Sequence, residues 1–186
     1  MLTIHVDGRE ATEIWDPKKE QFVTLKAVKP YDLNLEHSLI SISKWEAKWH
    51  EPFISKNGHN PEQTLHYIKC MTINQGVPDE VYDLLTTEDI QKISDYITDP
   101  MTATRVSEMP GQKRSNEIVT SELIYYWMTA LQIPFECEKW HLNRLLQLVA
   151  VCNAKNTPPK KMGKNEIMQR NKDLNAKRRA MLHSKG

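Results

Sequence analysis

Cys137 and His141 stand four residues apart with Glu138 between them. On a helix that spacing sets a thiol beside an imidazole, a pair able to share a metal ion or to act as nucleophile and base. One such pair supplies at most two metal ligands, and no CxxC or HxxxH elsewhere in the chain completes a set. The reading is therefore structural, with Cys137 packed and His141 answered by a backbone carbonyl. There is no GxGxxG, P-loop or GxSxG, and the six glycines leave little for phosphate-cradling loops. The acidic pairs Asp79-Glu80 and Glu88-Asp89 sit where helices begin, and there they favour the helix dipole. The sequence offers no catalytic residue, no metal ligand and no cofactor site, so binding is expected in place of catalysis.

Two features could bind. The first is KWEAKWH, residues 44–50, which sets Trp45 and Trp49 at i, i+4 with charges between them. Exposed, the two indoles would form a ladder able to stack bases or grip a partner's groove. Buried, they would be the apolar stripe of an ordinary amphipathic helix, and Tyr125, Tyr126, Trp127 and Trp140 invite the same pair of readings.

The second is the C-terminal tail. Residues 160–186 hold nine Lys+Arg and two acidic residues, a net of +7. Residues 1–159 hold sixteen basic and twenty-two acidic residues, a net of −6, within a whole-chain charge of +1. Lys160, Lys161, Lys164, Arg170, Lys172, Lys177, Arg178, Arg179 and Lys185 could neutralise phosphates. The tail lacks the aromatic or glycine interleaving that nucleic-acid binding wants, which favours an acidic protein surface, including the body of a neighbouring copy. A solvating tail is the remaining alternative.

The elements that must carry these features follow from periodicity. Residues 1–36 read as β: Leu2, Ile4 and Val6 alternate with polar residues, and further strands are expected within 20–28 and 31–36. Short strands of this kind are expected to lie on a helical body. From Ser38 the period lengthens towards 3.6, with Leu39, Ile42, Trp45, Ala47 and Trp49 on one stripe ending before Pro52. Asn60-Pro61-Glu62-Gln63 is a helix start with cap, N1 proline and N3 glutamine. Leu65, Ile68, Cys70 and Met71 should then face a core. Short helices are expected over 78–85 and from Thr87 to Asp99, and a loop over 101–112. Residues 121–131 and 138–154 are expected to form a helical hairpin about Ile133-Pro134, central to the fold. The tail beyond Pro158-Pro159 is helix-permissive, with a thin apolar stripe. The expected class is mainly α: an N-terminal β element (1–36), a helical body (37–159) and a basic arm (160–186).

Three cysteines with no CxxC spacing suit a reducing compartment. No apolar run reaches the ~20 residues of a membrane span. The N-terminus lacks a basic region leading into an apolar one, so a soluble cytoplasmic protein is expected.

The segments SLISISKWEAKWHEPFIS, PEQTLHYIKCM, DPMTATR, VTSELIYYWM, IPFECEKWHLNRLL and PPKKMGKNEIMQRNKDLNAKRRAM resemble a family of small proteins encoded in the tail-gene region of long-tailed bacteriophages. The resemblance runs from about residue 35 to the C-terminus, and its most specific parts are the IPFEC–WHLNRLL block and the PPKKM tail. Such proteins are usually labelled tail assembly chaperones. The resemblance implies a non-enzymatic protein of the host bacterial cytoplasm that keeps the long apolar helices of the tape-measure protein soluble and recruits tail-tube subunits. The alternative is a virion structural protein of the head–tail region whose basic arm packs on neighbouring subunits.

Overall fold

The computed structural model describes residues 1–17, 20–55, 58–104, 117–157 and 163–182. The fold is mainly α with a small N-terminal β element. The chain separates into two compact units, Met1–Ala154 and Lys155–Gly186. The N-terminal strands thus share one unit with the helices up to residue 154, where the sequence suggested segments 1–36, 37–159 and 160–186.

Among the described residues four strands precede the helices: β1 (Leu2–Val6), β2 (Thr12–Asp16), β3 (Gln21–Leu25) and β4 (Tyr31–Leu35). β1 pairs antiparallel with β4, and β2 with β3. In both ladders, and at the Arg9–Val28 bridge between them, the paired residue numbers sum to 37. One register therefore runs the length of residues 2–35. Gly8 lies at its middle, where a Cβ would come within 2.5 Å of the Val28 carbonyl oxygen, so the close approach needs glycine. The root of this ribbon buries Ile4, Val6, Leu33 and Leu35. The Glu36 N–H donates to the Met71 carbonyl at 2.9 Å and the Ile73 N–H to the Asn34 carbonyl at 2.8 Å, which holds β4 against the end of a helix.

Among the described residues seven helices follow: α1 (Leu39–Trp49), α2 (Pro61–Met71), α3 (Asp79–Tyr82), α4 (Thr87–Thr98), α5 (Ser121–Ala130), α6 (Leu142–Asn156) and α7 (Lys164–Leu182). Ser38, Asn60 and Thr86 cap α1, α2 and α4, each in a reciprocal box with the third helical residue. α1 is the organising helix and packs on α2, on α5 and on the 3₁₀ turn Phe135–Lys139. Leu39, Ile42 and Trp45 of α1 meet Ile68 and Met71 of α2, Ile124 and Met128 of α5, and Leu142, Leu145 and Val149 of α6 in one core.

The structure departs from the sequence reading in four places. Residues 12–16, which the sequence left unassigned, form β2. The β2–β3 pair is exposed at Ile14, Trp15 and Phe22, with Val23 and Leu25 half-buried, and shows no packing on the helices among the described residues. Ala47 is exposed, and the α1 position that turns inward is Glu46. α6 starts at Leu142 and not at residue 138, because the Leu142 N–H donates to the His37 carbonyl at 2.7 Å and His141 bridges Ser38, drawing 140–141 out as extended chain. Of the expected loop, residues 101–104 are irregular and the rest lies outside the described residues.

Candidate functional site

The charged arm contributes α7. Lys164, Arg170, Lys177, Arg178 and Arg179 all lie on this helix and all are exposed, whereas Lys160 and Lys161 lie outside the described residues. Ile167, Leu174 and Met181 recur every seven residues, so they fall on one line along the helix. Arg170 and Lys177 border that line on one side and Arg178 on the other, at helical spacing. The three apolar side chains are exposed. α7 thus presents a narrow apolar seam edged by cations, a surface that matches a helix with apolar and acidic residues interleaved.

The two tryptophans of α1 part company. Trp45 is fully buried, and its indole N–H donates to the Gln63 carbonyl at 3.0 Å. Trp49 is half-buried, with its N–H donating to His66 Nδ1 at 3.3 Å. They do not form an exposed ladder. Both are tied by their polar ends to α2, which is why the indoles turn inward.

Cys137 and His141 are not on a common helix, since one lies in the 3₁₀ turn and the other precedes α6. Cys137 is buried, and burial pushes its thiol pKa up. His141 Nε2 donates to the Tyr96 carbonyl at 3.0 Å, and its Nδ1 is buried with no hydrogen-bond partner among the described residues. The imidazole that sequence reasoning passed over is His37. Its ring lies 5.0 Å from that of His141, and its Nδ1 is hydrogen-bonded to the Tyr67 hydroxyl at 2.5 Å, which in turn lies 3.2 Å from Ser41 Oγ. Burial, with His141 alongside, lowers the His37 pKa from 6.5 to about 3. Burial raises that of Tyr67 above the ordinary phenol range. Both groups are therefore neutral near pH 7, and the cluster locks α1 to α2 and to the start of α6.

A groove of about 300 Å³ runs beside it, with Ile40, Cys70, Met71 and Ile73 as apolar lining and Lys44 and Lys139 at its margin. Cys70 Sγ lies 3.7 Å from His66 Nδ1, but burial raises the thiol pKa, so the thiolate form is disfavoured there. Among the described residues no three His, Cys, Asp or Glu gather as metal ligands, and no helix is long and apolar enough to cross a membrane.

The second exposed feature is the tip of the ribbon. Ile14, Trp15 and Phe22 are 47%, 53% and 68% exposed, and Trp15 meets Phe22 edge-on across the strands with ring centroids 5.1 Å apart. Alternation sets Trp15 and Phe22 on one face and Ile14, Val23 and Leu25 on the other, so both faces are apolar. The signal was present in the sequence as Thr-Glu-Ile-Trp before the Asp16-Pro17 turn, a strand-forming run. What the run could not tell was that none of the described residues of its own unit would cover Trp15 and Phe22. The chain matches no family model, no curated protein and no solved structure.

Proposed function

We propose that this protein is a tail assembly chaperone of a long-tailed bacteriophage. It acts without catalysis, in the host cytoplasm, by binding the tape-measure and tail-tube proteins during tail morphogenesis. The observation that carries the reading is α7: a 19-residue exposed helix whose apolar seam, every seven residues, is edged by Arg170, Lys177 and Arg178. A tape-measure protein is implied to be a long helix with apolar stretches, and a second helix of this design shields such a stretch while its cations engage acidic residues. The segment-by-segment resemblance from residue 35 onward supports the same reading. The virion structural role remains as the alternative.

Co-expression tests it. With this chain present, the tape-measure protein from the same genome moves into the soluble fraction and co-purifies with it. The triple variant Lys177→Glu, Arg178→Glu, Arg179→Glu should reduce the co-purified partner about tenfold or more, since like charges then face each other across the seam. An equally insoluble tape measure with and without this chain sinks the chaperone reading. Mass spectrometry of purified particles separates the alternative: a virion component is retained at fixed copy number, whereas a chaperone is lost. Deleting residues 160–186 should abolish the rescue and leave the urea midpoint of the remaining unit unchanged. A truncated chain that fails to fold would show that the arm is part of the core.

A further inference from the structure

We infer that the ribbon tip is a self-pairing strand, β3 of one copy joining β3 of a second copy antiparallel about a twofold axis at Val23. The result is a four-stranded sheet in the order β2-β3-β3-β2. This goes beyond the chaperone reading and does not rest on it.

Three observations carry the pairing. An isolated two-stranded ribbon is marginal in water, and stability comes with three or more strands or a covering layer. Here β2 and β3 have only each other among the described residues, and Trp15 and Phe22 on one face and Ile14 on the other stand in solvent, with Val23 and Leu25 half-buried. Such an edge is an open template for another strand.

The two edges differ in charge. Glu10 and Glu13 keep acid along the β2 side, whereas Gln21-Phe22-Val23-Thr24-Leu25 contains no charged residue and is rich in strand formers. The edge suited to meeting its own copy is therefore β3.

Charge complementarity then selects the register. With the axis at Val23, paired residue numbers sum to 46, so Val23 faces Val23, Phe22 faces Thr24 and Gln21 faces Leu25. Just past the ends of this ladder, Lys26 of one copy comes beside Glu20 of the other, the last residue of the turn into β3 (φ 49°), and symmetry makes this contact twice. Moving the axis to Phe22 or Thr24 sets Thr24 or Val28 opposite Glu20 instead and loses both pairs. Among the described residues neither Glu20 nor Lys26 takes part in an ion pair within its own chain.

Sedimentation of the purified full-length chain over a concentration series is the test. The wild type should shift reversibly from the 21.7 kDa chain mass to twice that value. Glu20→Lys and Lys26→Glu each place two like-charge pairs across the axis and should raise the dimer dissociation constant about tenfold. The double variant E20K/K26E exchanges the two charges and should restore wild-type dimerisation. As a second readout, Val23→Cys in the otherwise native chain should yield, on mild oxidation, a dimer linked through residue 23 that the wild type does not form. A chain that stays monomeric at every concentration overturns the inference, as does growth into species larger than a dimer, which would mean open-ended β2-to-β3 addition. Single charge reversals that the double variant fails to rescue overturn the register.

Discussion

Replacing Glu46 by alanine should lower the unfolding free energy by about 4 kcal/mol, read by urea denaturation with an unchanged m-value. Glu46 sits on the inward side of α1, buried, where a carboxylate is costly unless its oxygens are engaged. Both are. Oε1 accepts the Phe53 N–H and Oε2 accepts the Ser121 N–H, each at 2.8 Å. Ser121 is the first residue of α5, so the carboxylate also lies at the positive end of that helix. One side chain therefore holds the chain that leaves α1 and the start of a helix 75 residues further on. Alanine strands two backbone donors, at about 1–3 kcal/mol each, and leaves space where the side chain was. Glutamine keeps the shape but offers one acceptor oxygen, so it should cost about half as much. If Glu46→Ala loses under about 1 kcal/mol, the clamp is not what joins α1 to α5.

Acidification should destabilise the fold well above the pH at which carboxylates titrate. His37 is buried beside His141, and its pKa falls from 6.5 to about 3 on folding. Between those values the unfolded chain binds a proton that the folded chain refuses. Stability is therefore full above about pH 6.5 and declines as pH falls, by about 1.4 kcal/mol per unit, reaching about 5 kcal/mol near pH 3. Asp79, Asp89 and Glu122 have lowered pKa values, so their contributions are lost only at more acid pH, below the ordinary carboxylate range. His66, lowered mainly by burial, adds a smaller slope of the same sign. His5, raised by its hydrogen bond to Asp32, works in the opposite sense, its contribution fading as pH rises through its folded pKa, but it is fully exposed. Denaturation between pH 7 and 5 isolates the histidines. The wild-type slope should flatten in His37→Gln and stay nearly the same in His66→Gln. An equal slope in the wild type and His37→Gln would remove His37 as its source.

Much of the helical scaffold was legible without coordinates, because its signals are local. Asn60-Pro61-Glu62-Gln63 specifies its own helix start, since the side chains that cap it lie within three residues of the groups they satisfy. The run Leu39, Ile42, Trp45 has a period that allows one fold of the backbone, and these three side chains are the core of α1. Tyr67 and Tyr96 were missed for the complementary reason. Each is amphipathic, and its burial depends on a distant partner for the hydroxyl: His37 for Tyr67, Glu36 for Tyr96 at 2.6 Å.

The sequence alone determined the mainly helical class, most helix starts, the position of the basic arm and the strand alternation near the N-terminus. All of these rest on capping, periodicity and charge within a few residues. The tertiary structure decided the rest. Trp45 and Trp49 have the same chemistry four residues apart, yet one is sealed under α2 and the other lies at its edge, which only the packing of α1 on α2 could assign. Nothing local marks Glu46 as buried; the partners that make it so, Phe53 and Ser121, come from the chain that leaves α1 and from the start of α5. The ribbon's alternation was read at its root, while residues 12–16 at the tip were left unassigned, and a period of two says which side chains share a face and not whether anything covers that face. At the root the helices do, and at the tip Trp15 and Phe22 are left facing water.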